Sequence, residues 1–139
     1  FLYGELFGGG YPHPGVTPVP GAQPVQTGVW YAPDIRFAAF DLRIESASGG
    51  LSYLDFEEAE AIWKREGLFY AAPLHIGSYE SATAYPVRFD STIPARIGLP
   101  ALLSQTNPAE GVVIKPLREI AVPTPDGPVR PVLKRKLPE

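Results

Sequence analysis

Cysteine is absent from the 139 residues, which excludes a disulfide framework, thiolate nucleophiles and cysteine-ligated metals. Histidine is almost absent. His13 has only His75 for company, and with no acid nearby at metal-ligand spacing it is a poor candidate ligand. Methionine is missing altogether and the first residue is Phe1, so the chain is expected to be a fragment of a longer translated product. No run approaches the roughly 20 apolar residues of a membrane span, and nothing at the start has a secretory pattern. Together these absences give an expectation of an intracellular, cytoplasmic protein with no membrane partner. Positive charge is also short: 12 Lys and Arg against 15 Asp and Glu leave a formal net charge of −3. Binding to a phosphate backbone usually shows as a basic surface, so any such surface here has to be local. The distribution allows one, because Lys115, Arg118, Arg130, Lys134, Arg135 and Lys136 lie late in the chain while Glu57, Glu58, Glu60 and Glu66 share one predicted helix.

What is abundant is turn chemistry. Pro 17 and Gly 14 favour strands joined by irregular loops, and aromatic 12% with hydrophobic 45% argues against disorder. Phe1 to Phe7 reads as a strand whose only charge is Glu5, closed by a turn at Gly8-Gly9-Gly10. Five prolines between Pro12 and Pro24 make the next stretch a long loop. Phe37 to Ile44 is the clearest strand, with Phe37, Ala39 and Asp41 on one face and Ala38, Phe40 and Leu42 on the other. Asp55 to Glu58 is a capping-box start for a helix that ends at Gly67, with Phe56, Ala59, Ile62 and Trp63 as its buried stripe. Later, the β-branched run Val112-Val113-Ile114 predicts a short strand buried on both faces, bracketed by Glu110 and Lys115 and ended by Pro116. A carboxylate and an ammonium at the ends of so apolar a strand must each find water, a partner, a metal or a charged substrate. Arg130 to Leu137 reads as the last strand, with Lys134 and Lys136 on one face.

Four stretches, in order, resemble motifs III, IIIa, IV and V of the covalent nucleotidyltransferases, namely ATP-dependent RNA and DNA ligases and messenger-RNA capping enzymes. They are Tyr3-Gly4-Glu5-Leu6-Phe7-Gly8-Gly9, Phe37-Ala38-Ala39-Phe40-Asp41-Leu42-Arg43, Glu110-Gly111-Val112-Val113-Ile114-Lys115-Pro116 and Val132-Leu133-Lys134-Arg135-Lys136. The wording is closest to RNA ligases of the T4 ligase 2 type, and the similarity runs from one end of the chain to the other. The defining first motif, Lys-x-Asp-Gly with its nucleophilic lysine, does not precede them. Lys64-Arg65-Glu66-Gly67 has the same outline, but it follows motif IIIa and lies at a helix end, where coincidence is the better reading.

The resemblance implies an α+β fold class of antiparallel β-sheets with few helices, as in a nucleotidyltransferase (ATP-grasp-like ligase) domain. Residues 1–139 would be the C-terminal part of an RNA ligase adenylyltransferase domain, whose partner is the N-terminal part of the same domain. It implies ATP and Mg²⁺ as cofactors and RNA ends as substrate, joined through enzyme–AMP and RNA–adenylate. Glu5 would hold the ribose, Phe40 would stack on adenine with Phe37 in reserve, and Glu110 would help place the metal. Lys134 and Lys136 would neutralise phosphate oxygens during the chemistry. A DNA ligase, a capping enzyme or a non-catalytic nucleotide-binding remnant would share these motifs.

Overall fold

Strand structure at the N-terminus extends further than its alternation predicts. In the computed structural model, which describes residues 1–137, β1 spans Leu2–Gly10 and passes through the glycines where a turn was expected. Gly8 (φ 93°) and Gly9 (φ 94°) explain the difference, because a Cβ on either would meet the carbonyl of Asp34 or Gln23. Bare glycine lets the strand bend against close backbone without ending. β2 spans Ala32–Glu45 and β3 Leu51–Tyr53, in a sheet of order β1-β2-β3. β2 and β3 are antiparallel, with Arg43 opposite Tyr53 and Glu45 opposite Leu51. Three helices follow among the described residues: α1 at Phe56–Arg65, α2 at Tyr79–Thr83 and α3 at Ile93–Arg96. β4 (Gly111–Ile114) and β5 (Leu133–Lys136) then pair in a second sheet. The class is α+β, with antiparallel sheets and few short helices, consistent with a nucleotidyltransferase-like domain. No helix among the described residues is long and apolar enough to cross a membrane.

The chain divides into two compact units, each drawing on several stretches of sequence. The first comprises Phe1–Glu5, Ala38–Ala84 and Val113–Arg135. Its core is Ala39, Ala59 and Trp63, with Leu42, Leu54, Phe56, Leu68 and Tyr70 packed around them. α1 starts where the sequence says it should: Asp55 is the N-cap, and its amide donates to Glu58 Oε2 at 3.1 Å in a capping box. Lys64 and Arg65 sit in the last turn, where the helix dipole favours cations. The apolar stripe turns Trp63 inward, stacked on Tyr70 with 5.4 Å between centroids and edge-on to Phe56 at 6.3 Å. Ala39 keeps the strand close to this cluster, and its backbone bonds the Phe69 carbonyl and the Ala71 amide at 3.0 and 2.9 Å.

The second unit comprises Leu6–Phe37, Tyr85–Val112 and the residues from Lys136. Phe7, Tyr11, Val29, Tyr31 and Ala32 are its buried apolar residues. Asn107, itself buried, uses both ends of its amide on one residue: Oδ1 accepts from the Trp30 amide at 2.8 Å and Nδ2 donates to the Trp30 carbonyl at 2.6 Å. The side chain thereby does what a neighbouring strand would do, returning the loop to the sheet.

β4 corrects one expectation. Its β-branched run predicted burial on both faces, but Val113 is 59% exposed in a sheet of only two strands.

Candidate functional site

Charge is concentrated in the first unit around Asp41. Period two along β2 buries Ala39 and Asp41 and sends Phe40 the other way, leaving the residue 38% exposed. Both carboxylate oxygens of Asp41 are held by Arg130, Oδ2 at 2.8 Å and Oδ1 at 2.7 Å, and Lys115 Nζ also donates to Oδ1 at 2.7 Å. Lys115 makes a second bond, to the Phe40 carbonyl at 2.6 Å. Arg130 reaches Glu119 as well, through Nε at 2.7 Å and Nη2 at 2.5 Å, and its guanidinium lies 4.0 Å from the centroid of the Tyr53 ring. Burial alone would raise the Asp41 pKa, but the bonds from Arg130 and Lys115 outweigh it and hold the carboxyl below its ordinary value. A narrow crevice with no room for a water molecule is lined by Phe40, Phe56, Trp63, Lys115 and Pro116, among others.

Glu5 and Lys134 belong to the same unit, and both are exposed. No hydrogen bond or ion pair among the described residues joins Glu5, Phe40 and Lys134. Alternation along β5 puts Lys134 and Lys136 on one face and Arg135 on the other, where it donates to the carbonyl of Thr83.

Glu110 and Lys136 fall in the second unit. The phenol of Tyr31 donates to Glu110 Oε2 at 2.8 Å, and the Tyr31 ring is buried edge-on against Phe7 at 5.8 Å. One carboxylate oxygen is thus held by a donor on a buried ring, while Glu110 itself is exposed. No group of three or more His, Cys, Asp or Glu capable of caging a metal occurs among the described residues. A single oriented carboxylate still fits Mg²⁺, which keeps most of its waters and binds through one or two carboxylates plus substrate phosphates. A cavity of about 130 Å³ in this unit, beside Tyr11, Asp90, Leu99 and Asn107, contains none of the predicted site residues.

Sequence reading missed the Asp41–Arg130–Glu119 arrangement and the Tyr31 donor. The available signal was an acid inside an apolar strand at Asp41, which burial obliges to find cations. Lys64 has the opposite of a nucleophile's surroundings. It is exposed, and a hydrogen bond to Glu60, 3.3 Å away, raises its pKa, whereas an activated lysine needs its pKa lowered. Mixing the protein with ATP is accordingly expected to leave Lys64 unlabelled, and Lys64→Ala to leave any covalent labelling unchanged; an adduct mapped to Lys64 by peptide mass spectrometry would refute this.

Comparison with known proteins gives two informative relatives, both from Trypanosoma brucei brucei. RNA-editing ligase 2, mitochondrial, is 38% identical over 129 residues, covering 82% of this chain and 31% of that protein. RNA-editing ligase 1, mitochondrial, is 34% identical over 140 residues, covering 84% of this chain and 29% of that protein. The chain spans less than a third of the length of either relative. No protein-family model matches it. The homology supports a general assignment to the RNA ligase and nucleotidyltransferase superfamily. It also overturns the expectation of a cytoplasmic protein, since both relatives are mitochondrial by name. A lack of cysteine does not separate one compartment from another.

Proposed function

We propose that this chain is part of an ATP-dependent RNA ligase that joins a 5′-phosphate to a 3′-hydroxyl through enzyme-bound and RNA-bound adenylates. Similarity to two RNA-editing ligases over more than four-fifths of the chain carries the reading. Residues 1–139 then form part of the adenylyltransferase domain, and the nucleophilic lysine is supplied from outside it.

Each chemical step is a substitution at a negatively charged phosphorus centre, so the protein's task is positioning and compensation of negative charge. Phe40 offers an aromatic face to the base from the first unit, and the exposed Glu5 carboxylate is an acceptor for a ribose hydroxyl. Lys134 and Lys136 present two ammonium groups from one face of β5 to phosphate oxygens. Glu110, aimed by Tyr31, is the carboxylate that would help hold Mg²⁺. When bound, that ion supplies neutralisation of phosphate charge and a template for in-line geometry.

The direct test is to incubate the full-length protein with ATP labelled at the α-phosphate, then add a nicked RNA duplex. Label is expected first on protein, then on the RNA 5′ end, and finally released as the nick is sealed. A protein that takes no label, or that passes it only to DNA, is not the ligase proposed. Within that assay Phe40→Ala should weaken adenylate formation by about 1–3 kcal/mol, the worth of one stacked base, and Phe40→Tyr by less. Loss of AMP binding in Phe37→Ala with Phe40→Ala unaffected would move the role to the other ring.

A further inference from the structure

We propose that Arg130 is a positioning residue for the base-stacking ring of Phe40, acting through Asp41 and Lys115. The inference rests on the reading that Phe40 stacks on the nucleobase.

Four charged side chains are drawn together here with little exposure: Asp41 at 11%, Glu119 at 23%, Arg130 at 24% and Lys115 at 25%. Two acids and two bases cancel. Replacing such a buried group by apolar residues of similar size is often neutral or stabilising, so stability is a weak reason for its presence. What it does provide is fixed geometry. The planar fork of Arg130 occupies both oxygens of Asp41 and both oxygens of Glu119, with one face against Tyr53. A carboxylate held at both oxygens cannot turn. Asp41 therefore fixes the Lys115 ammonium, and Lys115 closes the relay on the carbonyl of Phe40 itself. That carbonyl belongs to the peptide plane following the Phe40 Cα, so holding it fixes the backbone from which the exposed side chain projects. Glu119 is anchored in turn, since its amide donates to Asp55 Oδ1 at 2.7 Å, at the N-cap of α1. The relay runs from a helix cap to an exposed aromatic ring through charge-assisted bonds, and Arg130 is its only member that grips two carboxylates.

Lysine cannot reproduce that fork, although it keeps the charge. Arg130→Lys in the full-length protein is expected to raise the KM for ATP in adenylation by about 3–10-fold, a fraction of the stacking contribution, with kcat within about twofold. In a Phe40→Ala background the same substitution should raise KM no further. A second arm needs no activity. Amide hydrogen exchange should quicken in peptides covering residues 38–44 of the Arg130→Lys protein while α1 peptides keep their wild-type protection. Multiplying effects in the double variant, or a fall in kcat with KM unchanged, would overturn the relay. So would exchange that is unchanged at 38–44, or that rises equally in α1. If wild type forms no enzyme–AMP, the ligase reading fails by itself, and the exchange pattern still decides whether Arg130 holds the Phe40 segment.

Discussion

Replacing Lys134 or Lys136 with Ala in the full-length protein is expected to slow single-turnover formation of enzyme–AMP by about 10²–10³-fold, as when a comparable preorganised electrostatic donor is removed. Single turnover is the condition to use, because it takes RNA binding out of the comparison. The bland alternative is that the two lysines merely decorate an exposed strand edge, where charge discourages pairing with other chains. Under that alternative either substitution changes stability by no more than about 0.5 kcal/mol and leaves adenylation intact. Arg135 distinguishes the two. Its side chain lies on the other face of β5 and donates to the Thr83 carbonyl, so Arg135→Ala should register in thermal unfolding while sparing the chemistry. Equal adenylation rates for wild type and both lysine variants would remove these residues from the mechanism.

The second large effect falls on Asp41. Asp41→Ala leaves the Lys115 and Arg130 cations without their shared counter-ion, and breaking a buried pair this way costs about 3–5 kcal/mol. The lower end is expected, because both cations keep about a quarter of their exposure. The pH dependence has a defined sign. Since folding lowers the Asp41 pKa, its stabilisation is complete above the ordinary aspartate range and is lost as pH falls through the lower folded value. Urea unfolding should therefore show wild type well above Asp41→Asn at pH 7, with the gap shrinking in acid. A gap constant down to the acid limit would mean that the charge of Asp41 contributes nothing. The two experiments address separate properties, since one reads a rate at constant fold and the other reads the fold.

Local signals were legible and remote ones were not. α1 could be placed from its acids, its Asp55 cap and its stripe, because those features lie within one helix and are set by its own geometry. β2 was visible for the same reason, through alternation around Ala39 and Asp41. β3 has three residues, too few for a period to show. The glycines after Phe7 suggested a turn because a one-dimensional reading cannot see the carbonyls of Gln23 and Asp34 coming close. The exposure of Val113 likewise depends on what packs against β4 and not on its own β-branched side chain. The Asp41 partners are the hardest case: Lys115 and Arg130 lie 74 and 89 residues away, and no periodicity links them. Lys115 was noticed as a charge at a strand end and, like Arg130, as one of several late basic residues, with nothing to tie either to Asp41.

Asn107 has a chemical consequence beyond its two bonds to Trp30. Asparagine in proteins ages by deamidation, in which the backbone nitrogen of the following residue attacks the side-chain amide and closes a five-membered ring. That nitrogen must carry a hydrogen to lose, and here the following residue is Pro108, which has none. The usual route to aspartate is therefore shut at this position. Its product would be costly, since a carboxylate in place of the amide turns the donor facing the Trp30 carbonyl into a second acceptor. The proline that follows Asn107 thus protects its two bonds to Trp30 from this route of ageing.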